Sequence, residues 1–173
     1  MSNTENGPEA AFLALGGNLG DRRAMLAAAI AGLSAADGVR VTRVSTFYET
    51  PPWGPVAQGP YLNACVKVET VLSPHALLAL CLTIERRHGR ERTVRWGPRT
   101  LDIDILLHGR AHIDEPGLVL PHPRLTERAF VLVPLAEIAP ALVIEGRSLE
   151  QWLDALDPSE RAGVVPFAAP DPT

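Results

Sequence analysis

The stretch "LDIDILLHG", residues 101–109, constrains the fold more than any other part of the chain. In a β-strand, residues two apart face the same way. Asp102 and Asp104 therefore project together, while Leu101, Ile103 and Ile105 project to the opposite face and into a core. The chain must supply a sheet that is packed on that side and leaves room beside the aspartates on the other. Two adjacent carboxylates repel each other, so something cationic belongs between them. One candidate is a hard divalent ion, because Mg²⁺ takes one or two carboxylates and completes its shell with water and phosphate oxygens. The other is a solvent-facing strand whose aspartates pair with nearby arginines.

The segment before the strand bears on that choice. Residues 86–99, "RRHGRERTVRWGPR", carry six arginines and one glutamate, a local balance of +5 in a chain whose formal net charge is −4. An acidic protein has no global attraction for nucleic acid or anionic membrane, so a basic site must be local. Trp96 is the one ring in this stretch for base stacking, and no RNP-like aromatic set or recognition helix accompanies it. Arginines on a Gly-Pro loop beside a carboxylate pair fit a polyphosphate chain better than a nucleic-acid backbone. Lys67 is the single lysine among sixteen basic residues, and its setting "NACVKVE" matches neither a Walker A loop nor a kinase lysine. Phosphate chemistry here would fall to arginine, which binds two oxygens with one planar fork, and to metal.

The remaining periodicities predict a βαββαβ order. "AAFLALGGN" reads as a buried strand, and Asp21 caps an Ala-rich helix to about Leu33. "VRVTRVSTFYET" alternates imperfectly, as a strand with a bulge does, and "NACVKVET" alternates cleanly. Between them lies "PPWGPVAQGP", a shaped loop rich in proline and glycine. Ser73 and Pro74 open a second helix that presents Leu77, Leu80, Cys81 and Ile84 and ends by Gly89. After the aspartate strand, a helix limited by Pro134 and Pro140 and a short helix capped by Ser148 are expected. The fold class is α+β: a ferredoxin-like βαββαβ core, an antiparallel sheet with helices packed on it, and extra C-terminal helices.

One domain over residues 11–157 is expected, after a flexible N-terminus at 1–10 and before a mobile Pro-rich tail at 158–173. Cys65 and Cys81 read as reduced core residues. No apolar run reaches the roughly 20 residues of a membrane span, and the polar start has no secretory pattern. A cytoplasmic monomer is the expectation. "LGGNLGD" matches no phosphate-loop spacing and reads as a strand-to-helix turn that needs permissive backbone.

In this order "LGGNLGD", "FYETPPWGP", "YLNACVKVET", "RWGPRTLDIDILLHG" and "LPHPRLTERAFVLVPLAEIAP" resemble the 6-hydroxymethyl-7,8-dihydropterin pyrophosphokinases of folate biosynthesis. The resemblance spans roughly residues 11–145. It implies transfer of pyrophosphate from ATP to the hydroxymethyl group of the dihydropterin, with release of AMP. Asp102 and Asp104 would hold two Mg²⁺ ions on the triphosphate. Arg90, Arg92 and Arg99 would neutralise the phosphates, and Glu85, Ile105, His122 and Arg128 would surround the nucleotide. The pterin would lie between Tyr61 and Phe130, with Asn63 and the backbone near Thr50 and Pro51 on its polar edge. Trp53 and Trp96 would close from loops 51–60 and 86–98, which are expected to settle only when both substrates are bound. Pro123 and Leu82 depart from residues common in that family. Two alternatives share parts of this pattern: a non-catalytic ferredoxin-like nucleotide-binding module, and a Mg²⁺-dependent phosphohydrolase.

Overall fold

The computed structural model describes residues 7–52, 54–55, 57–89 and 100–168. Its centre is β1 (Glu9–Gly17), which pairs antiparallel with β4 (Tyr61–Thr70) on one side and with β5 (Asp102–His108) on the other. The expected bulged second strand is divided into β2 (Val39–Val44) and β3 (Tyr48–Thr50), and both pair with β4. The register of β2 slips between Val41 and Arg43. At the break, Ser45 still exchanges bonds with Cys65 of β4: its N–H donates to the Cys65 carbonyl at 2.9 Å, and its hydroxyl accepts from the Cys65 N–H at 2.9 Å. The resulting order, β2/β3 then β4, β1 and β5, is that of an antiparallel ferredoxin-like sheet.

Helix α1 (Arg22–Ala35) starts at Asp21, whose carboxylate accepts the Ala24 N–H at 3.0 Å; α2 (Pro74–Arg87) starts at Ser73, which accepts from Ala76 at 3.1 Å. Both helices cover one face of the sheet. Leu26, Leu33, Leu77 and Ile84 are buried there against Leu13, Leu15, Val66 and Ile103. Both cysteines are buried and reduced, and burial pushes both thiols up, Cys81 to about 12.

The opposite face is half covered. After β5 come the short strands β6 (Ile113–Glu115) and β7 (Leu118–Leu120), a 3-10 turn at Leu125–Glu127 and α3 (Ala129–Ile138). The helix runs through Pro134, which was expected to limit it. Proline gives up the bond its N–H would make and crowds the preceding turn, and Pro134 is buried on the apolar side of α3, where packing offsets that cost. With α4 (Leu149–Asp154), α3 seals Phe12, Cys65 and Leu106 into a second core. Between them, β8 (Val143–Ile144) and β9 (Arg147–Ser148) form a hairpin whose two-residue turn, Glu145–Gly146, has positive φ at both positions, as a primed turn requires.

Where a mobile tail was expected, residues 158–168 carry α5 (Pro158–Ala162) and β10 (Val165–Pro166), which pairs with the outer edge of β3. An open strand edge offers unpaired N–H and C=O groups, and this segment uses them. Among the described residues, no helix is long and apolar enough to cross a membrane.

Candidate active site

Directly opposed residues in an antiparallel sheet share a face, so the register identifies what lies on the half-covered side. Asn63 of β4 stands opposite Gly16 of β1, and Gly16 stands opposite Asp102 of β5. One row further in, Cys65, Ala14 and Asp104 are aligned. Along this face β5 runs from Leu106 to Asp104 to Asp102, and β4 runs from Cys65 to Asn63 to Tyr61. The inner members, Leu106 and Cys65, lie beneath α3; the outer ones extend past its start into a cleft. The second core ends where these strands turn polar, and the cleft begins there.

Lining the cleft are Asp102, Asp104, Asn63, Gly16, Tyr61 and Thr50, joined by Ala14, Leu15, Pro51, Arg128, Phe130 and Val131. Leu101, Ile103 and Ile105 face the helical core, as the alternation predicts. Asn63 and Thr50 are buried, and the Asn63 amide donates to the Thr50 hydroxyl at 2.6 Å. That contact uses one of the two donors of the amide. Arg128, next to the start of α3, stacks its guanidinium 5.5 Å from the centre of the Phe130 ring. The Tyr61 hydroxyl donates to Gln58 Oε1 at 3.3 Å.

His122 is half-buried, and its Nδ1 accepts the Arg124 N–H at 3.1 Å. Burial, aided by Arg128 and Arg124 and opposed by Asp102, lowers its pKa to about 4. The ring is therefore neutral at physiological pH, with its proton on Nε2.

The structure thus brings together Thr50, Pro51, Tyr61, Asn63, Asp102, Asp104, Arg128 and Phe130 of the residues expected at a site. Glu85 is not among the residues that line this cleft: only 2% exposed on α2, it accepts the Ile103 N–H at 2.8 Å. Ile105 is also a core residue, on the strand face opposite the aspartates. Trp53, Arg90, Arg92, Trp96 and Arg99 lie outside the described residues, as does most of the 86–98 loop. Sequence reasoning missed Gly16 as a cleft residue. Its signal was the double glycine at the end of an apolar strand, where an absent side chain makes room for another group.

Asp102 and Asp104 offer hard oxygen donors on one face of a strand in an open cleft, and this suits Mg²⁺. Among the described residues no group of three or more His, Cys, Asp or Glu side chains converges on a metal position. A two-carboxylate site would leave the rest of the shell to water and phosphate oxygens, as Mg²⁺ prefers.

Fold and cleft together define a ferredoxin-like α+β protein with a small-molecule site at the uncovered end of one sheet face. The chain belongs to the 7,8-dihydro-6-hydroxymethylpterin-pyrophosphokinase (HPPK) family, whose description matches residues 12–140. It is 54% identical over 149 residues to the 2-amino-4-hydroxy-6-hydroxymethyldihydropteridine pyrophosphokinase of Methylorubrum extorquens, covering 86% of this chain and 94% of that one. To the protein of the same name from Bacillus subtilis it is 49% identical over 140 residues, covering 81% and 84%. An HPPK-DHPS crystal structure in complex with substrates superposes with a TM-score of 0.70 at 13% identity, over 87% of this chain and 43% of that longer one. At that identity the likeness speaks for the fold.

Proposed function

We propose that the cleft performs the reaction for which its relatives are named, with the roles of its residues as follows. The chain transfers pyrophosphate from ATP to the hydroxymethyl group of 6-hydroxymethyl-7,8-dihydropterin. The hydroxyl oxygen attacks the β-phosphorus, the bond from that phosphorus to the α,β-bridging oxygen breaks, AMP leaves, and the hydroxyl proton is lost. Asp102 and Asp104 would hold Mg²⁺, two ions by the family resemblance, which when bound would offset charge on the phosphate oxygens. Arg128 lies on the cleft wall beside these carboxylates, a position suited to phosphate oxygens. Arg90, Arg92 and Arg99 take the remaining phosphate charge, and Trp53 and Trp96 cover the substrates; these five rest on the family resemblance.

The pterin lies between Tyr61 and Phe130. The amide of Asn63 pairs with its polar edge, held in orientation by Thr50, and the Pro51 backbone continues that edge. His122, neutral and with its proton on Nε2, is a donor to the nucleotide. Glu85 and Ile105, on the core side, act by holding β5 in place. Catalysis rests on positioning and on opposing charge. The catalytic unit is a monomer working in the cytoplasm, with residues 158–168 completing the edge of its sheet.

The observation that carries this reading is the row Asn63, Gly16, Asp102: an amide and a carboxylate separated by one residue without a side chain. That spacing is compatible with a flat ring held by the amide next to a phosphate chain held near the carboxylate. Incubation with ATP, Mg²⁺ and the pterin alcohol is expected to give AMP and pterin diphosphate in equal amounts. Phosphate or pyrophosphate released without the acceptor would favour a phosphohydrolase. Nucleotide binding that is indifferent to Mg²⁺ and yields no AMP would favour a binding module.

A further inference from the structure

Beyond Leu15 and Gly16, the stretch "LGGNLGD" and the arginine that follows it have no part in the chemistry above, yet they bond to chain that adjoins the cleft. Asn18 donates to Gln58 Oε1 at 2.9 Å and to the Gly59 carbonyl at 3.0 Å. Arg22, the first residue of α1, goes further. Its Nη1 donates to the Pro60 carbonyl at 3.1 Å, and its Nη2 meets Glu49 Oε2 at 2.7 Å. Glu49 immediately precedes Thr50, and Pro60 immediately precedes Tyr61. Thr50 and Tyr61 are the last paired residues of β3 and β4, and both line the cleft. One guanidinium therefore ties Glu49, one step inside the end of the ladder, to Pro60, one step beyond it.

Arg22 is itself braced from the C-terminal segment. The Phe167 ring stacks on it at 5.4 Å, the Phe167 N–H donates to the Phe47 carbonyl at 2.8 Å, and Val165 pairs with Glu49. Shielded in this way, the Arg22 side chain is 21% exposed, and its ion pair is less open to water and salt than an ordinary surface pair. The matched family span ends at residue 140, so this brace comes from chain beyond it.

We infer that Arg22 is a positioning residue for the pterin slot: by bridging Glu49 and the Pro60 carbonyl, under Phe167, it fixes Thr50 and Tyr61 relative to each other. A lysine could satisfy one partner but lacks the planar fork that spans both. The inference rests on the assignment of this cleft to the pterin, and it concerns affinity for that ring alone. The ATP side of the cleft, around Asp102, Asp104 and Arg128, is carried by β5 and the start of α3 instead of by β3 and β4.

The test uses the full chain and reads pterin affinity twice, by fluorescence titration without turnover and by steady-state KM. Arg22→Ala is expected to weaken both by about fivefold, the net worth of one ordinary hydrogen bond, while kcat and the KM for ATP stay within about twofold. Arg22→Lys should fall between parent and Arg22→Ala. Glu49→Gln and Phe167→Ala, which keep the arginine, should shift pterin affinity in the same direction and serve if Arg22→Ala does not fold. Pterin constants within about twofold of the parent in all four variants would overturn the inference, as would equal losses for ATP and pterin. A parent protein that makes no pterin diphosphate would refute the functional reading and this inference with it. An active parent with indifferent variants would refute this inference alone.

Discussion

Gly16 and Asn63 face each other across β1 and β4 so closely that a methyl group built on Gly16 would lie 2.6 Å from Asn63 Oδ1. No carbon tolerates an oxygen at that distance, so an alanine here must displace the amide. Asn63 has little freedom to yield, because its nitrogen is bonded to Thr50 and its side chain is buried. Gly16→Ala is therefore expected to raise the KM for pterin by about tenfold or more, as for a buried hydrogen-bonding group moved out of line. The KM for ATP should change much less. Steady-state kinetics with each substrate varied in turn checks this, and equal effects on both would count against the assigned slot.

Asp102 and Asp104 are half-buried on the cleft face of β5 and add no apolar contact to either core. Asp102→Asn or Asp104→Asn keeps the shape and removes the charge. Turnover should fall by at least about a hundredfold, beyond what loss of a ligand's outer partner costs, while the thermal midpoint stays near that of the parent. Activity assays over a Mg²⁺ series, paired with thermal melts, read both quantities. Near-parent activity at ordinary Mg²⁺ would refute the metal assignment.

Glu85 calls for a different expectation, because its carboxylate serves the fold. It accepts the Ile103 N–H inside the core, and Ile103 separates the two aspartates along β5. Glu85→Ala would leave that N–H without its acceptor and should cost about 1–3 kcal/mol in urea unfolding. Glu85→Gln keeps an acceptor oxygen at the same place and should cost less. The converse order of stabilities would argue against this role.

The sequence was most legible where one local pattern decides one structural fact. Alternation alone divides β5 into Leu101, Ile103 and Ile105 on the core side and Asp102 and Asp104 on the other, as observed. Asp21, Ser73 and Ser148 announce helix starts through a side-chain oxygen that needs only the next turn, and all three cap as expected. Legibility ended where a partner distant in sequence decides. Nothing near Pro134 tells that α3 will pack over Phe12 and Cys65 and so carry the proline within it. Nothing in "VVPFA" tells that β3 offers a free edge. Glu85 is placed around the nucleotide by resemblance alone, and its bond to the Ile103 amide depends on how β5 packs against α2. Gly16 becomes a site residue only through the strand register that sets it between Asn63 and Asp102.

His122 provides a pH signature with a definite sign. Burial, aided by Arg128 and Arg124, lowers its pKa to about 4, from an ordinary value of 6.5. In the folded protein the ring stays neutral as pH falls from 7, while the unfolded chain takes up a proton near its ordinary value. The unfolded state then binds more protons, so this residue makes the protein less stable as pH falls through the window from 6.5 to about 4. Above that window it has no effect on the pH dependence, and below it both states are protonated. His122→Gln should make the decline in stability between about pH 7 and pH 5 shallower than in the parent. A direct reading comes from the ring proton resonances of His122, which should stay flat down to about pH 5 in the free protein. A midpoint near the ordinary histidine value would show that the ring is solvated and protonated, and that it does not meet the nucleotide as a neutral donor.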